Sequence, residues 1–405
     1  MQKKLIALAI AGLAAAPAFA QSTNVTMYGL VDAGMEIGNS GFGTKSRIQS
    51  GQSAGSRIGF KGEEDLGNGL KAYFQLEAGF ALDNGQSTQH GSVQGSTAPT
   101  VQGINTGSSS GAQQTTGSYF FQRVAIAGLK GNFGDLSVGR QYTPAFRQSA
   151  AIDPFAAGLG GQMPAALGGL PAYNQRYDNS VLYTSPTFSG FSGALMYSSG
   201  YENNVNGTSI SGATLTTEKA GRAWTIAGQY ANGPAFAGLS YQESYGASAN
   251  IAVLPPVPTD VAKNKSFLVD GSWDFKVVKV SALYATGHAD TPGVGRTVDE
   301  RRWSLGLSAP LGTSSKVQFT YAHKNDRLAS DKDAKFWSLG AERSMSKRTA
   351  LYVAYTKYIN ENRTDGLGNA VGANWNINSA LNTGLQLRDS NYDPYALQFG
   401  MRHAF

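Results

Sequence analysis

The sequence contains no cysteine, and its four histidines, His90, His288, His323 and His403, lie far apart along the chain. The first absence excludes disulfide frameworks and cysteine-ligated zinc or iron–sulfur sites, and the second argues against a histidine-rich metal centre. Charged residues make up only 15% of the chain, and the basic ones are dispersed despite a net charge of +6. We therefore expect no cofactor, no metal and no nucleic-acid partner.

Long apolar runs are also absent. After residue 20 no segment is apolar over the roughly 18 residues that a membrane-spanning helix needs. The start of the chain instead has the three parts of a secretory signal, namely Lys3 and Lys4, the apolar run Leu5–Ala15, and a small-residue site ending at Ala20. We predict a signal peptide at residues 1–20, cleaved near Ala20–Gln21. Loss of the two lysines lowers the net charge from +6 to +4.

The dominant pattern in the remaining chain is alternation of apolar and polar residues. Around residue 305, for example, Trp303, Leu305 and Leu307 alternate with Ser304 and Gly306. A period of two predicts strands with one apolar and one polar face. The alternating segments have about 9–14 residues, the length of a tilted membrane strand rather than of a strand in a soluble sandwich. Short turns alternate with long polar stretches, which is typical of an outer-membrane barrel.

Sixteen such segments are predicted, an even number, as single-chain bacterial barrels require. They begin near Val25, Ser56, Leu70, Ser118, Gly134, Asn179, Phe191, Arg222, Ala235, Lys265, Val277, Asp299, Ser315, Ala334, Arg348 and Asp393. Polar stretches at 83–117, 201–221 and 360–392 are predicted as outer loops. We find no linker, so residues 21–405 are predicted to form a single transmembrane β-barrel domain.

Several motifs carry a family resemblance. They are Met27-Tyr28-Gly29, the run Ser56–Gly69, Arg123–Leu129, Gly139–Tyr142, Arg176–Val181 and the terminal Phe405. In these motifs the chain resembles the trimeric general porins of Gram-negative outer membranes, most closely the β-proteobacterial and neisserial branch. The resemblance implies an all-β fold, a 16-stranded antiparallel transmembrane β-barrel with a long third loop folded into the lumen. It also implies a homotrimer in the cell outer membrane, surrounded by lipid and lipopolysaccharide, and a C-terminal aromatic that acts as an assembly signal.

The third long loop, 144–178, is the candidate constriction. Its glycines and prolines allow tight folding, and its apolar residues suit packing on an inner wall rather than exposure to water. The acidic Pro-Glu-Phe-Gly-Gly motif usual in the family is replaced here by Gly160–Pro164. Because the loop is less acidic, we expect weak selectivity that leans toward anions.

Strand parity suggests which side chains face the lumen. If Ile58 and Phe60 face lipid, Arg57 and Lys61 face inward. In the fourth strand we expect Val124 and Ile126 to face lipid, so that Arg123 faces inward.

By resemblance, Arg57, Arg123 and Arg176 occupy the places of the porin basic cluster. Asp153 is our candidate for an acidic group on the loop, while Arg147 on the same loop has no fixed place in the family pattern. Lys61 and Asp32 complete the candidate set. Basic groups facing an acid would create a transverse field across a narrow waist.

Alternatives to a general diffusion channel remain open. Gly51–Gly55 matches the G-x-S-x-G elbow of hydrolases, but that motif needs a strand before it and a helix after it. It lies here in a polar loop, so we predict no enzyme and no catalytic residue. A substrate-specific anion channel would use the same fold with a more organised basic ladder. An adhesin or structural barrel would use the long loops.

Overall fold

The computed structural model describes residues 24–87, 120–200, 208–210, 213–215, 219, 221–246, 262–292, 294–328, 333–361, 363–364, 370–371 and 392–405. The predicted signal peptide and most of the predicted outer loops lie outside the described residues. Within these ranges no helix is both long and apolar enough to cross a membrane.

Strands dominate the described chain. In chain order they are β1 Asn24–Asn39, β2 Thr44–Ser50, β3 Arg57–Gly67, β4 Leu70–Gly79, β5 Val124–Gly131, β6 Gly134–Tyr142, β7 Arg176–Thr184, β8 Phe191–Ser198, β9 Thr208–Ile210, β10 Ala213–Leu215, β11 Ala223–Asn232, β12 Ala235–Gly246, β13 Ala262–Asp274, β14 Lys279–Thr291, β15 Gly295–Leu311, β16 Ser315–Asp326, β17 Ala334–Ser344, β18 Thr349–Asn360, β19 Arg363–Thr364, β20 Ala370–Val371 and β21 Tyr395–Ala404. The pairs β9–β10 and β19–β20 are separate from the main sheet.

The main sheet is closed. Its strands pair antiparallel around the ring, and β21 pairs with β18 on one side and with β1 on the other. Backbone hydrogen bonds of 3.1 and 3.0 Å between Gly29 and Phe405 extend the closure. Strands β2 and β3 both pair with β1, one after the other, and are separated by residues 51–56. Together they fill one strand position of the barrel wall, and each such position is called a stave here. The ring therefore has sixteen staves, which confirms the predicted 16-stranded antiparallel barrel.

Short turns join the staves at one end. Between β3 and β4 the chain reverses through Asn68 and Gly69, with φ of 52° and 76°. Asparagine and glycine adopt this left-handed conformation more readily than other residues, which explains why the turn can be so tight.

The two faces of the staves invert the pattern of a soluble protein. In β15, Leu305 is 48% exposed whereas the neighbouring Ser304 is 0% exposed. Trp303 and Leu307 share the exposed face with Leu305, and Arg302 is buried on the face of Ser304. An apolar outer belt around a polar interior is the arrangement of a barrel that lies in lipid.

Residues 143–175, which join β6 to β7, contain two helices, Pro144–Ile152 and Met163–Ala166. The first begins with a proline in its first turn, and the Thr143 hydroxyl caps it by accepting a hydrogen bond from the Phe146 N–H at 3.2 Å. Its buried face contacts an apolar cluster that includes Leu268 of β13 and Leu283 of β14. The helix thereby rests on a wall distant in sequence from the strands that carry it.

Candidate functional site

Arg57 and Arg123 share one carboxylate. Glu77 of β4 is buried and accepts a hydrogen bond from the Arg123 Nε at 2.6 Å, while the Arg57 Nε lies 3.9 Å from its other oxygen. The hydroxyl of Tyr28 also donates to Glu77, at 3.0 Å. A carboxylate with several partners of this kind holds both guanidinium groups on one face of the wall.

Tyr142, at the end of β6, continues this arrangement. Its hydroxyl accepts hydrogen bonds from Arg123, at 3.0 Å, and from Arg176. The guanidinium carbon of Arg176 lies 4.1 Å from the centre of the Tyr142 ring, a cation–π contact, and Phe146 stacks on the same ring. The residues Arg57, Glu77, Arg123, Tyr142 and Arg176 thus form a continuous contact chain across neighbouring staves, here called the arginine row.

The arginine row brings together the three predicted arginines, but sequence reasoning missed Glu77 and gave little weight to Tyr142. Glu77 was one polar residue among several in a regular alternation. Its place directly between two arginines depends on the register in which Glu77 pairs with Gly59 and Val124.

The register also corrects the predicted parity of the fourth strand. Directly opposed residues of an antiparallel pair lie on the same face. Val124 opposes Glu77 and Ile126 opposes Gln75, and both apolar residues are buried, whereas Leu129 on the other face is exposed. Val124 and Ile126 therefore face inward, contrary to our prediction. Arg123 reaches Glu77 because it precedes the first residue of β5.

Lys61 lies further along the face of Arg57. It is exposed, and its ammonium is 5.6 Å from the centre of the Tyr28 ring. The pairing of Arg57 with Gly79 and of Lys61 with Gln75 puts both side chains on the face of Glu77, in agreement with the predicted parity of this strand.

Asp32 holds a loop against the barrel wall through hydrogen bonds. It is fully buried, and its carboxylate accepts backbone N–H groups of Gln52, Ser53 and Ala54 at 2.9–3.1 Å and the Tyr352 hydroxyl at 2.7 Å. These bonds hold the 51–56 interruption against the wall. No helix follows the Gly51–Gly55 motif within the described residues 51–67, so the motif lacks the setting of a hydrolase elbow.

Asp153 is buried at the end of the first helix. Its carboxylate accepts the N–H groups of Phe155 at 3.0 Å and Ala157 at 2.7 Å, and a third from Met163. Burial raises the pKa of Asp153 to about 7, against the opposing effect of those hydrogen bonds. In this geometry Asp153 organises the turn between the two helices. Its predicted role as the acidic group of a constriction stays a prediction.

The 143–175 segment is tied to the polar face of distant staves. The Ser281 hydroxyl donates to the Ile152 carbonyl at 2.6 Å, and the Tyr358 hydroxyl donates to the Gly160 carbonyl at 3.2 Å. On a third stave, Gln318 donates to the Pro154 carbonyl. The segment therefore contacts β14, β16 and β18, and reaches well across from its own strands β6 and β7.

Arg302 of β15 makes two further hydrogen bonds to this segment, and sequence reasoning did not single it out. It is fully buried, donates to the Ala166 carbonyl at 3.1 Å and to the Gly168 carbonyl, and pairs with Glu300. Lys324 lies 2.8 Å from the same carboxylate. The sequence feature that could have identified Arg302 is its inward position on the same strand face as the small residues Ser304 and Gly306.

Comparison with known proteins agrees with this architecture. A family model for Gram-negative porins matches residues 7–363. An outer-membrane porin of Bordetella pertussis is 32% identical over 88% of this chain and 94% of its own length. Porin protein 32 of Delftia acidovorans is 30% identical over the whole of both chains. The anion-selective porin from Comamonas acidovorans has a TM-score of 0.69 at 24% identity, covering 95% of this chain and 100% of that one. With a closed sixteen-stave barrel, an apolar outer belt and these relatives, the chain belongs to the Gram-negative porins, the channel proteins of the outer membrane.

Proposed function

We propose that the protein is a general diffusion porin, a water-filled channel for ions and small hydrophilic solutes with a weak preference for anions. The observation that carries the anion preference is the arginine row, in which three guanidinium groups are accompanied by a single carboxylate: Arg57 and Arg123 pair with Glu77, and Arg176 is bound to the Tyr142 hydroxyl. Excess positive charge beside a narrow aqueous path lowers the energy of passing anions and raises that of cations.

The waist of this channel is proposed to lie between the arginine row and the 143–175 segment, folded into the lumen. The ties of this segment to β14, β15, β16 and β18 support that location. Arg57, Arg123 and Arg176 are the proposed selectivity residues, with Lys61 extending the basic face. The buried carboxylates of Asp32 and Asp153 are proposed to shape the waist through the backbone that they bind.

The assembly and the export route are part of the same proposal. We infer a homotrimer in the outer membrane, in contact with lipid and lipopolysaccharide through its apolar belt, after removal of residues 1–20 as a signal peptide. Residues 21–405 then form one barrel domain, and no covalent chemistry is assigned to it.

Single-channel recording in planar bilayers tests the function. We expect conductance to appear in triplets of equal steps and to rise nearly linearly with salt concentration. Conductance that saturates, together with block by one class of organic anion, would favour the second candidate, a substrate-specific anion channel, which the organised arginine row also suits. Folded protein that inserts without conducting would contradict both and favour an adhesin or structural barrel.

A further inference from the structure

The Pro144–Ile152 helix presents one charged group to water. Most of the helix is buried, including Ala145, Phe146 and Ile152. Arg147 and Ala151 are exposed, and their spacing of four residues puts them on one stripe of the helix surface. Since the helix packs on β8, β11, β12, β13 and β14, this exposed stripe faces away from that wall.

The surroundings of Arg147 are those of a confined aqueous space. Its side chain is exposed to solvent, yet partial loss of hydration lowers the pKa of Arg147, against the electrostatic influence of Tyr73, Asp135 and Tyr142, of which Asp135 is the acid. Tyr73 donates a 2.6 Å hydrogen bond to Asp135, and both lie on the face of Glu77. Arg147 therefore lies near the inward faces of β4 and β6, the strands that contribute Glu77 and Tyr142 to the arginine row.

A purely structural role does not account for this side chain. Among the described residues Arg147 makes no ion pair, whereas Arg123 and Arg302 pair directly with buried carboxylates. A guanidinium that only anchored the helix would be expected to use its donors on a carboxylate or on backbone carbonyls, as Arg302 does.

The other charge of the segment is withdrawn from water. Residues 143–175 contain two charged side chains, Arg147 and Asp153, and Asp153 is buried among backbone N–H donors. The charge that this segment presents to solvent is consequently positive. This goes further than the less acidic loop expected from the sequence.

We propose that Arg147 is a specificity-determining residue of the channel, which makes the waist basic on both of its sides. The proposal rests on the channel function proposed above and adds a loop-borne cation to it. Small anions such as chloride and simple carboxylates pass between Arg147 and the arginine row, and cations meet repulsion from both directions. The carboxylates of Glu77 and Asp135 are then outnumbered by the four guanidinium groups of Arg57, Arg123, Arg176 and Arg147, so the net charge around the waist is positive.

The absence of cysteine allows a direct test on the intact protein in planar bilayers. In an Arg147→Cys variant, we expect the anion-to-cation permeability ratio, measured from the zero-current potential across a KCl gradient, to fall by about two- to fivefold. A methanethiosulfonate reagent that attaches a trimethylammonium group should restore the ratio. A reagent that attaches a sulfonate should lower it further. The matched control is Lys347→Cys, in an exposed turn at one end of the barrel, where neither reagent should change the ratio.

Ala151→Cys on the same helix stripe provides a second variant that keeps Arg147. Attachment of the sulfonate reagent to the cysteine introduced at position 151 should lower the anion-to-cation permeability ratio. The proposal can therefore be tested even if Arg147→Cys does not fold. If the wild-type protein conducts but labelling changes the permeability ratio of neither variant, the proposed role of Arg147 is overturned and the channel function stands. Failure of the wild-type protein to conduct would instead overturn the channel function.

Discussion

At the residue scale, the proposed anion preference depends on three arginines that are held in place by contacts with neighbouring side chains. Arg123 and Arg176 are buried around Tyr142, and Arg57 is half-buried beside Glu77. In the proposed role, fixed guanidinium groups act on passing ions without the cost of ordering flexible side chains at each passage.

Changing Arg57, Arg123 and Arg176 together to glutamine should shift the permeability toward cations. The expected change in the anion-to-cation ratio is about tenfold, because three charges near the ion path are removed. The zero-current potential across a salt gradient measures it.

A matched triple variant removes the same charge at one barrel end, where Arg343, Lys347 and Arg348 are exposed. This variant should leave the potential unchanged. An equal shift in both variants would mean that net charge, and not the arginine row, sets the selectivity.

Asp153 gives a pH dependence with a definite sign. Its pKa is raised from 3.8 to about 7, so the neutral carboxyl is favoured in the folded segment. The associated stabilisation is fully present below about pH 4 and is lost as the pH rises through about 7. Limited proteolysis of residues 143–175 should therefore be slower at pH 5 than at pH 8. Asp153→Asn should flatten this dependence, and an undiminished dependence in that variant would assign the effect to another group.

At the element scale, alternation alone predicted the staves well, because each stave has one apolar and one polar face with a period of two. The predicted starts at Leu70, Gly134, Phe191, Ala235 and Ser315 coincide with the observed ones. The interruption at 51–56 was not predicted, since it depends on backbone bonds to the distant Asp32.

The prediction of which side chains face inward in the strand that begins at Val124 was wrong for a related reason. Valine and isoleucine at 124 and 126 resemble a lipid-facing pair, but they are buried on the inward face, opposite Glu77 and Gln75. Burial inside a partly filled lumen and exposure to lipid both favour apolar side chains. The sequence pattern cannot separate them without the register.

The contact between β15 and residues 163–168 gives a prediction for the segment proposed to constrict the channel. Arg302→Met should loosen it, because the hydrogen bonds to Ala166 and Gly168 are lost and Glu300 loses a partner. We expect faster proteolysis within 154–171 and larger, noisier single-channel conductance, from a loss of about 3 kcal/mol. The adjacent Arg301 is exposed on the opposite face, and Arg301→Met should change neither property. Equal behaviour of the two variants would remove Arg302 from its anchoring role.

At the scale of the whole molecule, the barrel is stabilised by an apolar belt toward lipid and by paired backbone groups throughout the closed sheet. Leu305 lies near the middle of β15, and Leu311 ends it; both are exposed. Leu305→Arg should lower the free energy of unfolding from lipid vesicles by about 2–4 kcal/mol, and Leu311→Arg by about 1 kcal/mol or less. Urea titrations of vesicle-embedded protein measure both. Equal costs would contradict the assignment of this face to lipid.

The central claim is that the closed barrel encloses an open aqueous path with excess positive charge at its waist. The zero-current potential of the wild-type protein in a planar bilayer, across a tenfold gradient of KCl (about 59 mV for an ideally selective membrane), tests it most directly. We expect stable channels and a potential of the sign given by faster chloride movement, well below the ideal value because the proposed selectivity is weak. A potential of the opposite sign, or folded protein that inserts without conducting, would contradict it.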